Sequence, residues 1–402
     1  MRFLPYEPDQ AWLLPPSVKD VLGANHLCFF VHRVVEELDL SRFEEAYVEE
    51  GPPAYAPALM VKVWLYAYAL QVTSSRRLEQ RIREDLAFRY LAGGATPDHW
   101  TLNDFRTRHR RAINDVFLQV VEVARGLGMG RLGHVAIDST RVQANASRRR
   151  TETEQELRQR LAKTRRAIRR WQRQCAAAEG DEEPGTQVGP SYEQRLQEQL
   201  AQTRQNLEKL VKSGARQLSR TDPDSRFLHQ AGGFVLGYTV DLAVSDDHLI
   251  VAQRTTQAAS DSESLLPMVD QVMESCGEWP AQTSADSAFF SVANAVGLET
   301  RGIEGFVPDA HLSGELQDHR GPLKMPGDSP EHCRMRERLR RAKGKIRYRR
   351  RQALVEPVIG VLKEQRGMRR VRLRGLSKVS GEIALACTAF NLTRLWRCSA
   401  RA

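Results

Sequence analysis

Three acidic residues, far apart in the chain, stand where carboxylates could do chemistry. Asp138 lies in GHVAIDSTRVQAN at 133–145, after an apolar run at 134–137 that reads as a buried strand. A charge ending a buried strand is costly unless it is paired or binds a metal. Taken alone, it also reads as an Asp closing a strand or capping a turn. Asp286 ends a second expected strand at 282–286, and Glu356 lies in VEPVIGVLK. Side chains at the ends of adjacent parallel strands project toward one sheet edge, where α/β folds place ligands. Three carboxylates meeting there would repel one another without cations. Two Mg²⁺ ions, for which Mn²⁺ can substitute, would balance them and grip one phosphate oxygen, which suits displacement at phosphorus. Asp286 reads alternatively as a turn residue, and Glu356 as an ion-pair partner of nearby arginines. Asp222, Asp224, Asp241 and Glu364 are competing acids, set in loops, within a strand or on the wrong side of a basic helix.

The elements that must position these acids follow from periodicity and punctuation. Before Asp138, residues 17–22, 26–38, 58–71, 74–91, 102–109 and 114–128 read as helices. The 58–71 helix is apolar nearly all round, so it should be central. The later helices are studded with Arg, as in a helix-turn-helix-like DNA reader. After Asp138, two polar helical runs at 152–178 and 192–211 flank the loop GDEEPGTQVGP and read as an antiparallel hairpin. Strands are expected at 233–244, 248–254, 282–286 and 303–307, with helices at 264–276 and 290–300. Residues 311–345 read as irregular and basic, 347–366 as a helix interrupted or begun at Pro357, and 380–396 as a final buried helix. The order gives an α/β sheet with a leading antiparallel hairpin portion.

Composition narrows the class. The chain has 402 residues, 41% of them hydrophobic, and a formal net charge of +10, which favours a polyanionic partner such as nucleic acid. Lys343, Lys345, Arg347, Arg349, Arg350 and Arg351 precede Glu356, and Lys363, Arg366, Arg369, Arg370, Arg372 and Arg374 follow it. A one-signed flank on both sides of a carboxylate is what a phosphodiester substrate needs. The six cysteines form no CxxC and read as reduced thiols of a cytoplasmic protein. The chain shows no secretory signal, no run long enough to span a bilayer and no P-loop.

The stretches PALMVKVWLYAYALQVTSSRRLEQRIREDLAFRYLAGG, VAIDSTRVQANAS, TDPDSR, GYTVDLAV, SADSAF and YRRRQALVEPVIGVLKEQRGMRRVRLRG resemble the DDE transposases of bacterial insertion sequences. The resemblance runs from about residue 57 to 396. It implies a ribonuclease H-like catalytic domain at 131–147 and 216–396, a helical hairpin insertion at 148–215, and an all-α N-terminal domain at 1–130 that helps bind the element's ends. It implies Asp138, Asp286 and Glu356 as catalytic metal ligands, and Tyr348, Arg351 and Lys363 as phosphate-binding residues. Lys363 stands seven residues after Glu356. Arg351 stands five before it, one more than in the commonest form of the motif. Ser287-Ala288-Phe289 replaces the Gly and Tyr often found after the second Asp. The implied activity is cutting at transposon ends and joining the 3′-hydroxyl to target DNA, by a homo-oligomer on DNA at the nucleoid. The alternatives are a decayed or repurposed DNA-binding copy, and a nuclease or resolvase without strand transfer.

Overall fold

The computed structural model describes residues 17–47, 53–178, 190–230, 232–309, 312 and 328–399. It is a mixed α/β molecule with a helical N-terminal region. That region holds α1 (Val18–Val21), α2 (Leu27–Glu36), α3 (Ser41–Glu44), α4 (Pro57–Ala69), α5 (Ser75–Glu84), α6 (Leu86–Leu91), α7 (His99–Arg108) and α8 (Arg110–Gly126). Pro57 opens α4 at its first turn, where a missing N–H costs nothing. Ten of its thirteen residues are buried, including Trp64, whose Nε1 donates to the Leu102 carbonyl at 3.1 Å. Helix α7 begins three residues before the expected 102, because Asp98 caps it: the Asp98 carboxylate accepts the Thr101 N–H at 2.7 Å. Helix α8 begins four residues earlier than its apolar periodicity suggested, at Arg110.

The sheet begins with β1 (Val135–Gln143), which runs well past Asp138. Asp138 therefore lies inside a strand and does not end one. The polar run Asp138-Ser139-Thr140-Arg141 hid the continuation, but its backbone pairs throughout with the next long strand. β2 (Thr151–Glu152) and β3 (Leu218–Ser219) form a two-stranded clasp at the base of α9 (Glu154–Ala178) and α10 (Pro190–Ser213). These two helices pack on one another, as the hairpin reading expected, and most of their connecting loop lies outside the described residues. β4 (Arg226–Gln230), β5 (Gly233–Ser245), β6 (Ile250–Thr256), α11 (Leu265–Cys276), β7 (Gln282–Ser284), α12 (Val292–Thr300) and β8 (Glu304–Phe306) follow. β4 was not expected, because only Leu228 of its five residues is buried and no alternation shows.

β5 pairs antiparallel with β1 from Gly237 to Ser245 on one edge, and with β4 and then β6 on the other. β7 lies parallel to β1 on its far side, and β8 parallel to β7. Gly237 is required by this packing: a Cβ there would sit 1.9 Å from the Val142 carbonyl oxygen.

Three helices complete the chain: α13 (Pro330–Arg340), α14 (Ala342–Gln365) and α15 (Leu376–Ser399). Residues 330–345, expected to be irregular, are thus helical except for the extended Arg341 between α13 and α14. Basic side chains mask the pattern of α13, which buries Met335 and Leu339 and seats Arg336 between Asp309 and Asp328. The rest of that irregular segment, 313–327, lies outside the described residues. Helix α14 continues through Pro357. The residue four before it, Ala353, is exposed, so water can take up the carbonyl that proline leaves unpaired.

α14 lies against β1 and β5 and reaches β7 and β8, while α15 packs on β6 and also on α8, α4, α7 and α2. One continuous apolar core therefore runs from Leu27 through the sheet to Leu395. Glu382 of α15 is fully buried and accepts the N–H groups of Arg372 and Leu373 at 2.9 and 2.8 Å. Burial pushes its carboxyl above the usual range, against the lowering charge of Arg106. Arg106 itself lies 4.4 Å over the Trp64 ring and donates to the Tyr68 hydroxyl and the Thr73 carbonyl.

Candidate active site

The two aspartates converge because of strand register. Ala136 pairs with Ser284 across the parallel β1–β7 ladder. Two residues further along each chain stand Asp138 and Asp286. Asp138 is still in β1, whereas β7 stops at Ser284. Asp286, expected as the last residue of that strand, instead caps a short 3₁₀ turn (Ser287–Phe289), its carboxylate accepting the Ala288 N–H at 3.0 Å. Because side chains alternate along a strand, residues two beyond a paired couple share that couple's face.

The electrostatics register this closeness. Burial pushes the Asp138 carboxyl up to about 6; the Arg351 charge opposes the rise and the Asp286 charge adds to it. Asp286 is also raised, mainly by burial. A buried carboxylate whose ionisation is further suppressed by a neighbouring one suits a hard divalent cation, which binds oxygen donors and offsets the repulsion. On donor type and burial the pair fits such an ion.

Arg351 occupies the space beside them. Its Nη1 donates to Asp138 Oδ2 at 2.7 Å, it is 7% exposed, and its Nε is buried without a partner. Its guanidinium also lies 5.9 Å from the Tyr348 ring. Tyr348 is half-buried against the small apolar cluster that contains Phe306, Met335 and Leu339. Lys363 is half-buried further along α14. Burial and Arg369 pull its ammonium below the usual range, while Glu364 and Asp138 oppose them.

Glu356 does not join the aspartates. It is exposed on α14, five residues beyond Arg351 and so about 140° around the helix from it. Among the described residues, no three His, Cys, Asp or Glu side chains come together closely enough to hold a metal ion. The expected three-carboxylate cluster is therefore half assembled. Without cations, a third negative charge beside the aspartates is unfavourable, and the Arg351 guanidinium lies there instead. Glu356 and Lys363, two helical turns apart, share one face of α14.

The competing acids have structural employment. Asp222 accepts the Tyr238 hydroxyl at 2.7 Å and the Gly375 N–H at 3.0 Å, and Asp224 takes Lys209 and the Leu376 N–H. Together they fasten the β3–β4 loop to the start of α15. Asp241 is buried and accepts the Ser139 hydroxyl at 2.6 Å, and Glu364 pairs with Arg369. One acid went unremarked in the sequence. Asp261 pairs with Arg141 at 2.9 Å, and its charge raises both Asp286 and Asp241. Its only signal was a place in the SDSES run before α11.

Residues 16–108 match a family model described as "Transposase domain (DUF772)", and residues 327–396 match one described as "Transposase DDE domain". The first covers α1–α7. The second covers α13, α14 and most of α15, with Tyr348, Arg351, Glu356 and Lys363 inside it. No curated protein and no solved structure matches the chain.

Proposed function

Starting from a chain that is a DDE transposase of an insertion sequence, a metal-dependent enzyme that cuts and transfers DNA strands, we propose how its residues divide the work. It cuts at the element's ends and joins the freed 3′-hydroxyl to target DNA. Asp138, Asp286 and Glu356 are its acidic triad, held in a ribonuclease H-like domain at 131–147 and 216–396. The observation that carries this reading is the register of β1 and β7, which puts two electrostatically coupled aspartates side by side. An order of three antiparallel strands followed by two parallel ones, β6-β5-β1-β7-β8, supports the domain assignment.

Bound Mg²⁺ or Mn²⁺ supplies Lewis acidity to the attacking and leaving oxygens. Asp138 and Asp286 provide the first carboxylates, and Glu356 completes the set when α14 and DNA engage. Arg351 neutralises Asp138 until then, and its unpartnered Nε offers a donor for a phosphate oxygen. Lys363, on the face it shares with Glu356, places a second cation along the same strand. Tyr348 backs Arg351 and sets its direction. The helical region at 1–130 binds the terminal repeats, and the hairpin at 148–215 is an insertion into the catalytic domain. The protein works as a homo-oligomer on DNA, at the nucleoid. Among the described residues, no helix is long and apolar enough to cross a membrane.

A supercoiled plasmid carrying the terminal repeats, incubated with Mg²⁺, tests the assignment. The parent cuts and joins and Asp138→Ala does neither; equal activity of the two overturns it. The separation of Glu356 from the aspartates favours a second reading, a copy that binds DNA without cutting it. Calorimetry with Mn²⁺ separates the two, since a decayed centre shows no binding that depends on Asp138.

A further inference from the structure

Across α14 from Glu356 lies a cavity of about 290 Å³ at the junction of α14, α15 and the β5–β6 turn. Arg366, Arg394, Arg397 and His248 line it with Val358 and Phe390, and among the described residues no carboxylate does. Arg366 is the unusual member. It is 6% exposed and fully ordered by neutral acceptors: Nη1 donates to the Ala69 carbonyl at 2.7 Å and Nη2 to Thr393 Oγ1 at 3.2 Å. Its Nε is buried with no partner. Among the described residues it forms no ion pair; the one charge acting on it is that of Arg397, which together with burial lowers it to about 10. A buried cation facing another cation is an expensive arrangement unless an anion completes it.

We infer that this cavity is a phosphate-binding site, separate from the aspartate pair, that takes a phosphate oxyanion between Arg366, Arg394 and Arg397. Guanidinium forks match the oxygens of a phosphate in two-point fashion. Arg394 is tied by Nε to the Asp247 carbonyl, which leaves its terminal nitrogens for a ligand, and Arg397 is exposed at the mouth. The volume approaches the lower end for small-molecule sites, roughly 300 Å³. Phe390 and Val358 give an apolar wall for the group esterified to the phosphate. By helical spacing, Val358 projects from the side of α14 opposite to Glu356 and Lys363. A strand held here is therefore gripped away from the bond being cut. The site goes beyond the catalytic reading, and only its DNA source depends on it.

The test uses the full chain and two probes, inorganic phosphate and a short labelled DNA duplex. Phosphate, at constant ionic strength set with chloride, should raise the parent's thermal midpoint by roughly 3 °C at a hundred times its Kd. Arg394→Gln/Arg397→Gln should lose that rise, and so should the exposed single change Arg397→Gln in larger part. Arg349→Gln, on α14 but outside the cavity, should keep it. If the double variant also lowers the salt slope of DNA affinity by about one or two, the natural source is the DNA backbone. If the slope is unchanged while the phosphate response is lost, the ligand is a free phosphate compound. A phosphate response equal in parent and both cavity variants overturns the site, whatever DNA binding shows. Asp138→Asn keeps the phosphate response even if the metal reading fails, so the two failures are distinguishable.

Discussion

Arg351 Nη1 and Asp138 Oδ2 meet at 2.7 Å, joining the middle of α14 to the middle of β1 across 213 residues of sequence. Arg351 is the counter-charge that lets two aspartates stand side by side, Asp138 on β1 and Asp286 just beyond β7. In the proposed reading the Arg351–Asp138 pair is also a contact that a divalent cation must share or displace. Arg351→Gln should cost about 2–3 kcal/mol in metal-free buffer, below the cost of breaking a fully buried pair because Asp138 keeps some solvent contact. Added Mn²⁺ should then raise the variant's thermal midpoint by more than the parent's. An equal Mn²⁺ shift in both would show that the guanidinium and the cation do not compete.

Asp138 gives a pH dependence with a definite sign. Its carboxyl is raised from 3.8 to about 6, so the folded protein holds the proton more tightly than the unfolded chain. Stability linked to this group is full below about pH 4 and lost as pH rises through about 6. Asp138→Asn should therefore be more stable than the metal-free parent at pH 8, by roughly 2–3 kcal/mol at 1.4 kcal/mol per unit. The gain should vanish near pH 4. Urea unfolding at several pH values measures it, and a gain independent of pH would contradict the burial of that charge.

Glu356 is exposed, so its role should separate cleanly from folding. Glu356→Gln should shift stability by no more than about 0.5 kcal/mol. Strand cleavage should fall on the order of 10²-fold or more, the scale for losing one transition-state-stabilising group. Parallel thermal unfolding and plasmid cleavage give both numbers from one preparation.

Asp222 should behave in the opposite way. Asp222→Ala strands the Tyr238 hydroxyl and the Gly375 N–H, and should cost about 2–4 kcal/mol. Mn²⁺ binding to the folded fraction should be unchanged, measured by calorimetry below the unfolding transition. Loss of metal binding would move Asp222 into the active centre.

What could be read from sequence follows from where burial leaves a pattern. The largely apolar α4 and the strands of the 233–256 hairpin carry patterns strong enough to place them. The two aspartates were found because Asp138 follows a short apolar run and Asp286 follows a segment that reads as a short strand. Their register was not visible, since pairing of β1 with β7 depends on what folds between them. β1 was read too short because Ser139 and Arg141 are satisfied by Asp241 and Asp261, partners more than a hundred residues away. α13 was missed for the same reason: Arg336 is a buried residue only because Asp309 and Asp328 pair with it. The position of Glu356 is set by the rotation of α14, which its even spread of charge does not specify.

α15 packs on β6 and on four helices of the N-terminal region at once. A ribosome releases the strand bearing Asp138 long before it makes that helix. The earlier helices can pack on one another meanwhile, but the faces of α2, α4, α7 and α8 that α15 covers stay bare. A product stopped ahead of Leu376 would therefore leave the faces of α4 and α8 that α15 covers open to water and to other chains.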